Sequence, residues 1–312
     1  MSSLIEQAAQ RLEQLRQAGV VLPNDAQAMP HSNPPVFLDE GLDAAEASGL
    51  EAVKPDEFHA SSKRVDLDLE ALAAQGFLTP NAARSHMADQ YRVIKRPLIK
   101  NAMGRGVASL NHANLIMVTS ALAGEGKSFT SLNLALSIAA ELDNTVMLVD
   151  ADVARPSVLR MLGLPQGPGL LDVLEESVDM SSVLLRTNVD KLTLLPSGTP
   201  HARATELLAS DAMSHLLDDM ARRYPDRIII FDSPPLLLTT ESRVLASHMG
   251  QIVVVVHAEK TAQSAVQQAL ATIESCPLKM LLLNQANANT SGGYGSGGYG
   301  YGYGYGTEDT AS

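Results

Sequence analysis

Lys127 and Ser128 stand at the end of a small-residue turn, Ala121-Leu-Ala-Gly-Glu-Gly126, which itself closes the apolar run Ile116–Ser120. A lysine and a hydroxyl residue opening a helix behind two glycines are suited to holding an anion. Glycines let backbone N–H groups close around phosphate oxygens. The helix N-terminus adds its partial positive charge to the same point. In this arrangement Lys127 would reach the β- and γ-phosphates of a nucleotide, and the Ser128 hydroxyl would face Mg²⁺. The cradle would run over Ala123, Gly124, Glu125, Gly126, Lys127, Ser128 and Phe129. The pattern G-x-x-x-x-G-K-[ST] has Ala121 in place of its first glycine, while Gly124, Gly126, Lys127 and Ser128 all fit it.

A phosphate loop that works with Mg²⁺ needs carboxylates nearby, and three acids end apolar runs downstream. Val146-Met-Leu-Val-Asp150-Ala-Asp152 closes one run with two acids, and Ile228-Ile-Ile-Phe-Asp232 closes another. Spacing of two at a strand end puts Asp150 and Asp152 on the same side of the chain. Uncompensated acids on a buried strand tip are costly, so a cation is the physical reason to keep them there. Asp150, Asp152 and Asp232 are the candidate carboxylates for holding Mg²⁺ alongside Ser128. The loop and the acids together predict an Mg-nucleotide site.

The elements that must position these groups can be read from the pattern around them. Strand-like runs occupy 115–119, 145–149, 192–195, 227–231, 252–256 and 279–283, and most are continuously apolar, as strands buried on both faces of a parallel sheet are. Helical patterns fall at about 128–141, 169–176, 205–223 and 261–274. The alternation predicts an α/β fold: a doubly wound, mainly parallel sheet of P-loop NTPase type, with helices on both faces and ligand at the C-terminal ends of the strands. Residues 85–290 form this domain in the expected division. The helix over 87–96 should be kinked or broken at Pro97, and Asp89, Arg92 and Lys95 should line one of its faces.

Two stretches lie outside that pattern. Residues 1–84 read as an acidic arm, largely disordered, with a short amphipathic helix carrying Leu4, Ile5, Ala8, Leu12 and Leu15. Through residue 85 there are 13 acidic against 6 basic side chains, the wrong balance for docking on anionic lipid. Residues 291–312 form a tail that opens with SGGYGSGGYGYGYGYG, holding Tyr294, Tyr299, Tyr301, Tyr303 and Tyr305. Such a Gly-Tyr segment cannot repay the entropy of ordering and is expected to be flexible.

Composition closes off several classes. A chain of 312 residues with 45% hydrophobic content can bury a full core, and its charge of −12 argues against a nucleic-acid-binding face. One cysteine, Cys276, rules out a disulfide framework and fits a reducing compartment. No apolar run approaches a membrane span, and no signal-peptide core is present, so a soluble, cytoplasmic protein is expected. The eight histidines have no metal-ligand spacing.

The loop Gly124-Glu-Gly-Lys-Ser128, the stretch Leu-Val-Asp150-Ala-Asp152-Val-Ala-Arg155-Pro156 and Phe-Asp232-Ser-Pro-Pro235 resemble the Walker A, A′ and B motifs of the bacterial tyrosine kinases, the BY-kinases. Pro196-Ser-Gly198 and Ala204-Thr-Glu-Leu-Leu208 resemble the family's intervening stretch, and the likeness runs from about Ser85 to the C-terminus. Tyr91-Arg-Val-Ile-Lys-Arg-Pro97 and Asp-Val-Ala-Arg-Pro156 are most similar to the XrtA-associated tyrosine autokinases of exopolysaccharide biosynthesis and export. The resemblance implies ATP and Mg²⁺ as ligands, Lys127, Asp150, Asp152 and Asp232 as catalytic residues, and Asp150 as acceptor of the tyrosine proton. The same resemblance gives Mg²⁺ to Ser128 and Asp152, with Asp232 acting directly or through a water. It implies Asn284 as an adenine contact and the five tail tyrosines as phosphoacceptors. It further implies a ring-like assembly of copies and a membrane-embedded polysaccharide chain-length regulator as activator, so that the protein sits at the inner membrane through a partner. The family's A′ motif has arginine where this chain has Ala154, and its helix motif E-x-x-R-x-x-R becomes Asp89-x-x-Arg92-x-x-Lys95. Two other readings use the same fold. A partitioning or division-site ATPase switch would carry a second lysine where this chain has Leu122. A nucleotide-dependent scaffold would use the tail as a sticky segment.

Overall fold

The computed structural model describes residues 62–80, 85–106, 110–223 and 226–286. The expected N-terminal amphipathic helix, most of the acidic arm and the Gly-Tyr tail lie outside them. In chain order the elements are β1 (Lys63–Val65), α1 (Leu69–Ala74), α2 (His86–Ala102), β2 (Leu115–Ser120), α3 (Lys127–Ala139) and β3 (Thr145–Asp150). There follow α4 (Val158–Met161), α5 (Leu170–Leu174), α6 (Met180–Val183), β4 (Leu185–Thr187), β5 (Leu192–Leu195), α7 (Ala204–Leu208) and α8 (Asp211–Arg223). The chain then forms β6 (Arg227–Asp232), α9 (Glu241–Ser247), β7 (Gln251–His257), α10 (Gln263–Ala271) and β8 (Lys279–Asn284).

The strands build one eight-stranded sheet in the order β1-β4-β5-β3-β6-β2-β7-β8. Every neighbouring pair is parallel except β4 and β5, so β1 and β4 run against the rest. Continuous apolar runs become buried central strands because alternate side chains feed two cores. Met117, Met147, Val149, Ile229, Phe231 and Val254 pack on one face with α5, α7, α8 and α9. Ile116, Val118, Val146, Leu148, Ile230 and Val255 pack on the other with α1, α2, α3 and α4. The doubly wound parallel architecture therefore stands as expected. The helical pattern over 205–223 is realised as two helices, α7 and α8, separated at Ala209 and Ser210.

Three expectations need correction. The folded body begins well before residue 85: β1 pairs in register with β4, and Leu67, Leu72, Phe77 and Leu78 join the core beneath α3. Leu67 exchanges two hydrogen bonds with the Asn188 side chain, at 2.9 and 3.0 Å, and Leu78 N–H donates to Asn133 Oδ1 of α3 at 2.7 Å. The acidic residues around this segment mask its apolar ones in composition.

Of the two outcomes expected at Pro97, the break is the one overturned: α2 runs on to Ala102, capped at its start by Ser85 Oγ, which accepts from Ala88 N–H at 3.1 Å. Proline removes one hydrogen bond, to the carbonyl of Val93, on the outward side of the helix where that residue is 72% exposed. Tyr91 and Leu98, buried on either side of the proline, hold both halves against the sheet. Lys95 does not share the exposed face of Asp89 and Arg92. It is buried, with Nζ 2.7 Å from Glu141 Oε1 and donating to the Ser137 carbonyl at the end of α3. Asp89 and Arg92 pair with each other as expected of an exposed i, i+3 couple.

Candidate active site

The phosphate loop leaves the C-terminal end of β2 and enters α3 at Lys127. Two left-handed glycines shape it, Gly124 at φ 82° and Gly126 at φ 92°. A Cβ on Gly126 would run into the Asn284 amide, so the end of β8 closes directly on the loop. Asn284 Nδ2 also donates to the Glu125 carbonyl at 3.0 Å. The Glu125 side chain turns away from any phosphate. It is buried at 3% exposure, one carboxylate oxygen accepts from Leu122 N–H at 2.7 Å, and the other accepts from the Thr261 hydroxyl. Glu125 thus fixes the loop's turn and ties it to the segment between β7 and α10.

The three acids meet the loop from neighbouring strands. Register pairs Asp150 with Asp232 across β3 and β6, and β6 lies directly beside β2. Lys127 Nζ sits 2.8 Å from Asp152 Oδ2. Asp232 Oδ1 accepts from Ser131 Oγ at 3.0 Å, and Ser128 Oγ lies 2.9 Å from Ser157 Oγ. Asp150 Oδ2 accepts from the backbone N–H groups of Ser157 and Val158, both at 2.9 Å, and so seats the start of α4. The second oxygens of Asp150 and Asp232 are buried without a hydrogen-bond partner.

Burial pushes the Asp150 carboxyl up to about 7, and the neighbouring Asp232 charge adds to the effect against the two backbone donors. Burial likewise pushes Asp232 up, opposed by Lys127 and by hydrogen bonds from Ser128 and Ser131. Bare carboxylate oxygens beside a serine hydroxyl and a lysine fit a divalent ion bound together with a polyphosphate. The protein groups do not by themselves form a closed metal cage among the described residues. Mg²⁺ ordinarily keeps waters and phosphate oxygens alongside one or two carboxylates, so the donor set suits it.

A family profile described as an AAA domain matches residues 113–285, more than half of the chain. The tyrosine-protein kinase YwqD of Bacillus subtilis is 31% identical over 198 residues, covering 64% of this chain and 80% of that protein. The chain belongs to the bacterial tyrosine-protein kinase family. A solved structure, the VpsO kinase domain, matches this tyrosine-protein kinase at a TM-score of 0.52 and 27% identity, over 65% of this chain and all of that domain. The tyrosine-protein kinase ptk of Acinetobacter johnsonii is 32% identical over 54% of this chain, but the match spans only 22% of that longer protein. No helix among the described residues is long and apolar enough to cross a membrane.

The kinase fold gathers Lys127, Ser128, Asp150, Asp152, Asp232 and Asn284 around one loop. Phe129 instead points into the lower core, where its ring stacks at a tilt on Phe77 with centroids 5.0 Å apart. Arg155 offers only its backbone to Asp152, at 3.2 Å, and its side chain is exposed. Several groups that shape the site carry no motif: Ser131, Ser157, Thr261 and Asp172. Asp172 works against its own partial burial, since N–H groups of Thr199 and Gly169 hold its carboxyl low while it ties α5 to the Pro196–Gly198 turn. Nothing in sequence spacing marks these four, because each acts across 27 residues or more of chain or through the backbone.

Proposed function

We propose that this chain transfers the γ-phosphoryl group of ATP to tyrosines of its own C-terminal tail, from one copy to another, and that the phosphorylation state regulates exopolysaccharide chain length and export with a membrane-embedded partner. The observation that carries the reading is the meeting of Lys127, Ser128, Asp150, Asp152 and Asp232 at the C-terminal ends of three adjacent strands. Glu125 and Asn284 hold the loop whose N–H groups would take the β-phosphate. Lys127 would neutralise charge growing on the transferred group. Ser128, Asp152 and Asp232 would hold Mg²⁺, which when bound supplies positive charge to the phosphate oxygens. Of the cradle residues, Glu125 would take part through its backbone alone.

The tyrosine oxygen would form a bond to the γ-phosphorus as the bond to the β–γ bridging oxygen breaks, releasing ADP. A phenol titrating near 10 must shed its proton on the way, and Asp150 is the group for that proton. Its carboxyl, at about 7, is poised for the task. The tail begins after β8, whose last residue touches the loop, and Tyr294, Tyr299, Tyr301, Tyr303 and Tyr305 follow within 21 residues of Asn284. A flexible 22-residue segment has an r.m.s. reach of roughly 25 Å, enough for a neighbouring copy in a ring. Assembly through α2 would use Asp89, Arg92 and the exposed face around Val93, because Lys95 is committed to Glu141.

The test is to incubate the purified chain with MgATP, alone and with a cytoplasmic peptide of a candidate activator, and to map phosphate by mass spectrometry. Phosphotyrosine within residues 294–305, absent from a Lys127→Met control, is expected. No phosphotyrosine there under either condition would overturn the reading.

A further inference from the structure

The segment after β6 turns beside the phosphate loop: Leu236, Leu237 and Leu238 form a turn in which Leu238 N–H donates to the Pro235 carbonyl at 3.2 Å. Leu236 N–H donates to the Ser120 carbonyl at 2.8 Å, and Leu237 N–H to the Ala121 carbonyl at 3.3 Å. The segment is fastened at both ends: Thr119 Oγ1 donates to the Pro234 carbonyl at 2.8 Å, and Arg243 Nε to the Leu236 carbonyl at 3.0 Å. Leu122 and Leu238 are the residues that follow these bonded positions, Leu122 in the phosphate loop and Leu238 in the turn after β6. They are 39% and 58% exposed, so both present apolar surface to solvent at the rim of a site otherwise lined by charge. Phosphate and metal have no use for such surface. An aromatic ring that must bring a hydroxyl to the same site does, since tyrosine carries an apolar body and a polar tip.

We propose that Leu122 and Leu238 form an apolar lip that seats the ring of the acceptor tyrosine of the Gly-Tyr tail. This rests on the autokinase reading and names the acceptor subsite within it. The occupant follows from where the described chain ends. Asn284, the last residue of β8, bonds to the Glu125 carbonyl at 3.0 Å, so each copy's tail starts beside its own loop and must span from there to the lip of the neighbouring copy. Tyr294 lies ten residues on, within a fully extended span of about 33 Å, and the other four tyrosines lie beyond it. Residues 291–306 carry no charge, so a strand of this tail meets no repulsion from Asp150, Asp152 and Asp232. Serine or threonine hydroxyls have no ring to rest on the lip and stop short of the phosphate, so the lip also selects phenols.

The test uses the full chain with saturating MgATP and, as added acceptor, a labelled peptide of the sequence of residues 291–306. Leu122→Asn, Leu238→Asn and the conservative Leu238→Met are compared with the unaltered protein. For each asparagine variant the KM for the peptide is expected to rise about tenfold, the size of a lost ring contact of about 1.4 kcal/mol. The kcat should change little, Leu238→Met should keep the original KM, and ADP affinity of Leu238→Asn by calorimetry should stay within about twofold. Unchanged peptide KM in the asparagine variants, with an active unaltered protein, overturns the lip alone. A parallel fall in ADP affinity also overturns it, because the leucines would then serve the nucleotide. An unaltered protein that makes no phosphotyrosine overturns the autokinase reading and the lip with it.

Discussion

Asp150→Asn isolates what a buried acid costs this fold. In the folded chain the carboxyl is 1% exposed and titrates at about 7, against an ordinary value of 3.8, chiefly because burial penalises its charge. The folded chain therefore holds this proton more tightly than the unfolded chain. The stability contributed by the protonated group is whole below pH 3.8 and is lost as pH rises through about 7. The gap between the two values corresponds to about 4 kcal/mol, and each pH step inside that window is worth about 1.4 kcal/mol. Asparagine stays neutral throughout. Its oxygen can still accept from Ser157 and Val158, while its amide NH₂ meets the unpartnered position at a fixed, pH-independent cost. The pH slope of stability therefore isolates the titration of this one group. Urea unfolding in EDTA without nucleotide, at pH 5, 6, 7 and 8, should show the variant gaining on the original chain by about 3 kcal/mol between pH 5 and 8. Parallel stability curves would refute the assignment of a raised carboxyl to this position.

Two further substitutions probe the frame around the site. Pro97→Ala restores the N–H that α2 lacks at an exposed turn, and thermal unfolding should rise by about 3 °C, corresponding to about 1 kcal/mol once the proline's stiffening of the unfolded chain is set against the regained hydrogen bond. An unchanged or lower Tm would mean that the helix has already adapted to the ring. Glu125→Ala strips partners from Leu122 N–H and the Thr261 hydroxyl, so affinity for fluorescent ADP should fall about tenfold, with Glu125→Gln in between. Equal affinity in all three would show that the loop keeps its shape without the strut.

The parallel strands were legible because each is a short, nearly unbroken apolar run, and all six fall within a residue or two of their expected bounds. The three acids were legible for the same reason, since a charge that ends such a run stands out. Strands β1 and β4 were not. At three residues each they are too short to show alternation, and the sheet holds them through pairing and through the Asn188 bonds rather than through their own pattern. Lys95 reads as a surface charge in the helical pattern, and only the position of the α3 carboxyl end turns it inward. Glu125 sits inside a phosphate-loop motif whose usual reading concerns its backbone, so spacing could not disclose that its side chain reaches Thr261. Long-range polar contacts of this kind leave no periodic trace.

The order of strands has a consequence for how the molecule can be handled from outside. The chain enters the described fold at β1 and leaves it at β8, and these are the two margins of the sheet. Seven strand spacings separate them, roughly 34 Å. The first and last strands of the described residues therefore lie on opposite margins of one sheet. A label attached at β1 would sit a sheet's width from Asn284 and the loop it touches, so the far margin offers a handle that leaves the site uncrowded.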